Sequence, residues 1–83
     1  MDRGVLAAVQ RFPQWGSEIR RLALADTTFR ALCDDLVEAE VALARWTRAE
    51  GSHATDLQRE YDVLVHELAD EIASLLARVP DRA

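Results

Sequence analysis

Asp62, His66 and Asp70 follow one another at intervals of four, so a helix carrying them presents all three on one face. A neutral imidazole between two carboxylates is a donor set that divalent metals accept. The di-iron pattern of helical bundles needs Glu-x-x-His, and Val63 stands where that glutamate belongs, so the pattern is absent. An acidic helix with one histidine produces the same spacing with no chemistry attached. The expectation is therefore a solvated face, with no metal and no cofactor. Glu67 with Glu71, and Glu38 with Asp34 and Asp35, are of the residue types that make general acid/base pairs. Such pairs work only in unequal, partly buried surroundings beside a cleft, whereas these flank apolar lines and serve helix solubility. Cys33 has no Cys-x-x-Cys partner and no histidine beside it, and reads as a small hydrophobe. His53 falls in a turn and is expected to be exposed and idle. Trp15 lies outside every periodic stretch and is a candidate anchor at a partner surface. The chain has no glycine-rich phosphate loop, no Gly-x-Ser-x-Gly and no zinc-type Cys/His spacing.

The elements that must carry these residues follow from composition. Eighty-three residues allow one domain, 1–83, with a modest core. Hydrophobic residues make up 49% and charged residues 30% of the chain, too apolar for disorder. Fourteen alanines, no asparagine, three glycines and two prolines leave little but a few long helices. The net charge of −5 argues against general binding to nucleic acid or to anionic membranes. The charge is unevenly spread: residues 1–25 hold four arginines against two acids, and residues 26–83 hold six against thirteen. The plain reading is a solvated acidic hairpin with a basic leader; a sharper one docks the leader on the hairpin, in the same chain or in a neighbour. A single cysteine permits no internal disulfide and points to a reducing compartment, the cytoplasm. The apolar run Val5–Val9 is too short for a signal-peptide core, and nothing approaches a membrane span.

Along the chain, Phe12-Pro13 ends any helix over Arg3–Arg11, because proline disfavours helix at the residue before it. Pro13 suits a new start, Ser17 offers a cap, and Glu18–Ala25 makes a short helix. Asp26-Thr27-Thr28 caps a first long helix over 26–50. Its apolar positions Phe29, Leu32, Leu36, Ala39, Leu43 and Trp46 recur at 3-4-3-4-3, the strongest periodic signal in the chain. Gly51 closes it, and Thr55 with Gln58 reads as the capping box of a second long helix over 55–79. There Leu57, Tyr61, Leu64, Leu68, Ile72, Leu75 and Val79 form the seam, and Pro80 ends the helix. A short connection makes the two antiparallel. Arg45 and Arg48 then come near Asp56 and Glu60, and Arg78 lies toward Asp34 and Asp35.

Each long helix carries a second apolar stripe: Cys33, Val37, Val41 and Ala44 on the first, and Val65, Ala69, Ala73 and Leu76 on the second. One hairpin seam uses one stripe per helix, and each large side chain left in water forgoes about 1.5–3 kcal/mol of burial. These eight residues are the expected interface. The N-terminal segment covers part of it, and a second copy covers the remainder in a dimeric four-helix bundle. The fold expected is all-α: an antiparallel helical hairpin with a short N-terminal helical segment. The function expected is a non-enzymatic interaction or oligomerisation module, with a homodimer or an unidentified protein as partner and neither nucleic acid nor membrane. Two other readings stay open: an enzyme dependent on a metal or cofactor held between subunits, and a nucleic-acid-binding regulator using Arg3 to Arg21.

The order of features resembles that of the YdcH-like family of small bacterial proteins. The likeness spans roughly residues 12–77: Phe12-Pro13, then Ile19, Arg21 and Leu22, then Phe29 and Leu32, the Glu50-Gly51 turn, and Leu68, Glu71 and Leu75-Leu76. The resemblance implies a self-associating helical hairpin without an established activity. This chain differs in having no lysine, eleven residues before Phe12, and an acidic second helix.

Overall fold

The Asp2 carboxylate accepts the Gly4 N–H at 3.0 Å and so caps the first helix, α1 (Arg3–Arg11). Phe12 leaves the helical region at φ −127° and ψ 65°, as a residue before proline tends to, and Pro13–Trp15 makes one 3-10 turn. Helix α2 (Gly16–Ala25) follows directly, with Ser17 inside it rather than capping it. Asp26 then accepts the N–H groups of Thr28 and Phe29 at 2.9 and 3.2 Å, stopping α2 and starting α3 (Thr27–Arg48). Arg45 and Arg48 sit in the last turn of α3, where the helix dipole favours cations. Gly51 has φ +103° and ψ 163°, a region essentially restricted to glycine, and it turns the chain into α4 (Ser52–Leu76). This computed structural model describes residues 2–79.

Several boundaries differ from expectation: α2 starts at Gly16 rather than Glu18, α3 ends at Arg48 rather than at 50, and both ends of α4 move. The second long helix starts three residues before Thr55, so the Thr55/Gln58 capping box has no role; Thr55 Oγ1 instead donates back to the Gly51 carbonyl at 3.3 Å. The helix also ends at Leu76, with Ala77–Val79 turning away. The stop expected at Pro80 lies outside the described residues.

The four helices run up, down, up, down. Helix α1 lies parallel to α3: Asp2 pairs with Arg30 at 3.0 Å, Gly4 sits over Cys33 and Asp34, and Arg11 reaches Glu40 at 2.8 Å. The basic leader thus docks on the hairpin of its own chain, and one chain supplies the four helices that two copies were expected to share. They enclose Ile19, Phe29, Leu36, Ile72 and Leu76, each almost wholly buried and each contributing about 1.5–3 kcal/mol. All of this lies at one end. Helices α1 and α2 have 9 and 10 residues, whereas α3 and α4 have 22 and 25, so the hairpin continues as a bare two-helix arm. The molecule measures 51 × 22 × 20 Å. Among the described residues no helix is long and apolar enough to cross a membrane.

On α4, Val65, Ile72 and Leu76 join Val5 and Ala8 of α1 and Ile19 and Ala23 of α2 in one core cluster. The buried line of α4 is Ala54, Val65, Ala69, Ile72 and Leu76, while Leu64, expected in the seam, is 40% exposed. On α3 the expected seam holds, with Phe29, Leu36 and Ala39 buried and Leu32, Leu43 and Trp46 half-buried beside them. The ion pairs expected across the hairpin do not close: among the described residues Arg45, Arg48 and Arg78 lie within 4.0 Å of no carboxylate.

Candidate interaction surface

The eight residues of the two second stripes separate into two groups. Cys33, Val65, Ala69 and Leu76 are buried inside the single chain, because the head closes around them. Val37 and Ala73 are half-buried, and Val41 and Ala44 remain exposed. The open half of the set therefore lies mainly on α3, where α1 runs out.

Cys33 marks the crossing of α1 and α3. A Cβ on Gly4 would lie 2.7 Å from the Cys33 carbonyl carbon and 2.7 Å from the Asp34 amide nitrogen, so only glycine lets the two backbones approach this closely. Burial, with the carboxylates of Asp34 and Asp2 nearby, pushes the Cys33 thiol up to about 11, which leaves it protonated and unreactive at neutral pH. Asp2 and Asp34 share this corner with Arg30. The Gly4 amide and then Arg30 hold the Asp2 carboxyl below its ordinary value, while desolvation and the neighbouring Asp2 raise that of Asp34.

The Asp62, His66 and Asp70 side chains are all exposed on α4. His66 Nδ1 lies 2.8 Å from the Asp62 carbonyl oxygen, an acceptor, so this nitrogen carries the hydrogen. It is 3.7 Å from Asp62 Oδ1, which leaves Nε2 as the ring nitrogen with a lone pair for a metal. Among the described residues no group of three or more His, Cys, Asp or Glu side chains is arranged to hold a metal ion. His53 is exposed, as expected, and its ring meets Trp46 edge-on at 6.0 Å and 78°, tying the start of α4 to the end of α3. Trp15 is half-buried and packs on the core rather than standing free. Of the leader's arginines, Arg11 is engaged with Glu40.

The surface left open runs along the hairpin from the head toward the arm and has two flanks. On the α1 side a groove of about 230 Å³ is floored by Val37, Val41 and Ala42 and bordered by Arg3, Glu38 and Arg45. On the opposite side a groove of about 350 Å³ runs between α3 and α4 over Ala39, Tyr61, Leu64 and Leu68, with Asp35 and Glu38 on its rim. The first flank carries both signs of charge and the second only negative. Val41 is 44%, Leu64 40% and Val63 57% exposed. The exposure of Leu64 was missed from sequence because its spacing fits the seam equally well.

No protein family, curated protein or solved structure matches this chain.

Proposed function

We propose that this chain is a non-enzymatic helical module that acts by self-association through its two-helix hairpin. One observation carries the reading: the head completes its own four-helix core, while the hairpin presents Val41, Val63 and Leu64 with no covering layer. Burying a fully exposed aliphatic side chain is worth about 1.5–3 kcal/mol, and these three stand roughly half out of the protein, so covering them returns a substantial part of that. A domain this small has few other apolar groups with which to offset such exposure. The ionisable side chains of the arm serve solubility and recognition. Light scattering on the purified chain tests this. The expected result at tens of micromolar is at least twice the chain mass, falling on dilution. A constant single-chain mass over that range rejects self-association.

A further inference from the structure

The pattern of charge on α3 says more about the partner and its orientation. We propose that two copies of this chain pair antiparallel through α3, crossing at Val41, an inference that rests on the self-association reading above. At about 100° per residue, Asp34, Val37, Glu38, Ala44, Arg45 and Arg48 all lie within roughly 60° of Val41 around the helix. Counted from Val41, the acids stand at −7 and −3 and the arginines at +4 and +7. A two-fold axis through Val41 reverses the direction of the helix and exchanges those positions. Glu38 of each copy then faces Arg45 of the other, and Asp34 faces Arg48.

The same axis keeps the two sides of the stripe apart. Glu38 and Arg45 lie on one side of Val41, and Val37 and Ala44 on the other, so charge meets opposite charge and aliphatic meets aliphatic. Parallel pairing exchanges the two sides, setting Glu38 against Val37 and Arg45 against Ala44 of the other copy, so each charge faces an aliphatic side chain and loses its opposite partner. Pairing through the opposite flank would bring the carboxylates of Asp35 and Glu38 from both copies together around Leu64. The groove between α1 and α2, over Val5, Ala23 and Leu24, has both charges on its rim but no order that selects an occupant.

The fold leaves most of the α3 stripe accessible, with Glu38, Val41, Ala44, Arg45 and Arg48 exposed. Helix α1 slants across α3 from Asp34, under Gly4, to Glu40, opposite Arg11, and leaves Val41 to Arg48 uncovered. Among the described residues Glu38, Arg45 and Arg48 make no ion pair within 4.0 Å in their own chain, so no existing pair is broken. At the end of the stripe Asp34 lies beside Asp2, with Arg30 as the cation at hand. Arg48 of the second copy adds a second cation to this pair of carboxylates.

The test combines a cross-link at the axis with a charge exchange. In Val41→Cys the two thiols lie opposite one another and are expected to form a disulfide dimer under mild oxidation. Val63→Cys, exposed on α4, is the control expected to stay largely unlinked, and Cys33 is buried and does not compete. Arg45→Glu and Glu38→Arg each turn two attractive pairs into two repulsive ones and are expected to weaken the dimer roughly tenfold. An equimolar mixture of the two restores opposite charges and is expected to form a heterodimer close to wild-type affinity. Circular dichroism checks that each variant keeps its helices. A wild-type dimer that Val41→Cys does not link, or that survives both charge changes unweakened, overturns the α3 pairing while leaving self-association standing. A monomeric wild type removes both.

Discussion

Gly4→Ala inserts one methyl group where α1 crosses α3. That methyl would stand 2.7 Å from two backbone atoms of α3, the Asp34 amide nitrogen and the Cys33 carbonyl carbon, and against the Asp34 carboxylate. Non-bonded carbon contacts settle at about 3.5 Å or more, so α1 must withdraw by roughly 0.8 Å, and backbone on the facing side cannot give way. Overpacking of this kind costs about 1–3 kcal/mol. Alanine's better helix propensity returns about 0.5 to 1 kcal/mol, so at the middle of the overpacking range the net loss is about 1–2 kcal/mol. For a domain of this size that is a fall of roughly 4–16 °C in Tm. Cys33 supplies a second readout, because α1 is part of what shields it. With its thiol at about 11, about one molecule in ten thousand holds a thiolate at pH 7, and labelling of the native wild type should be slow. Gly4→Ala should accelerate it. Gly16→Ala is the control: an added Cβ there meets only the flexible Arg20 side chain and Val9, at 3.5–4.0 Å. It should be neutral or slightly stabilising. A Gly4→Ala protein as stable as wild type, with Cys33 labelled no faster, would refute the close crossing.

Two further substitutions probe the caps and the turn. Asp2→Asn keeps a good N-cap but removes a carboxyl whose folded-state value lies below the ordinary 3.8. Such a group stabilises the fold above its unfolded value and loses that contribution as pH falls through its lower folded value. Acid titration followed by circular dichroism should therefore show a shallower acid limb below about pH 4 in Asp2→Asn than in wild type; an unchanged limb would dismiss the assignment. Gly51→Ala forces φ +103° on a residue with a Cβ, although nothing lies within 4 Å of that atom. Strain alone should cost about 1–3 kcal/mol in urea denaturation, and a neutral result would show that the turn has another conformation available.

The helices themselves were legible because their punctuation is local. Phe12-Pro13 and Asp26 act through the backbone of adjacent residues, and both breaks fall where sequence puts them. The start of α4 was less legible: Thr55 and Gln58 form a plausible capping box, but Gly51, as the one residue able to take this backbone conformation, turns the chain early enough for Ser52 to be helical. The face that α4 buries could not be read from α4 alone. Leu64 and Val65 are neighbours about 100° apart, and either completes an apolar line with Ile72. The choice is made by α1 and α2, which add buried surface on one side and draw Val65, Ala69 and Leu76 inward. That docking depends in turn on Gly4, whose role is visible only once the residues it meets, 29 and 30 positions later, are known. The expected interface was half absorbed into the core for the same reason, while Val41 and Ala44 stayed outside because a nine-residue helix ends before reaching them.

The unequal lengths of the helices divide the molecule into two cooperative regions. Amides in the head are protected by four helices that open together, so they exchange with solvent only when most of the fold is lost. Amides of the arm have one neighbouring helix, and toward Gly51 the remaining contacts are few: Trp46 on His53, and buried Ala54. Opening there is a local event, with protection falling in steps from Ile72 toward the turn. A protease should make its first cut near Ala49 to Ser52 while the head stays intact. A partner that binds the arm would change that profile most, raising protection in residues far from either end of the chain and leaving the head's exchange nearly untouched.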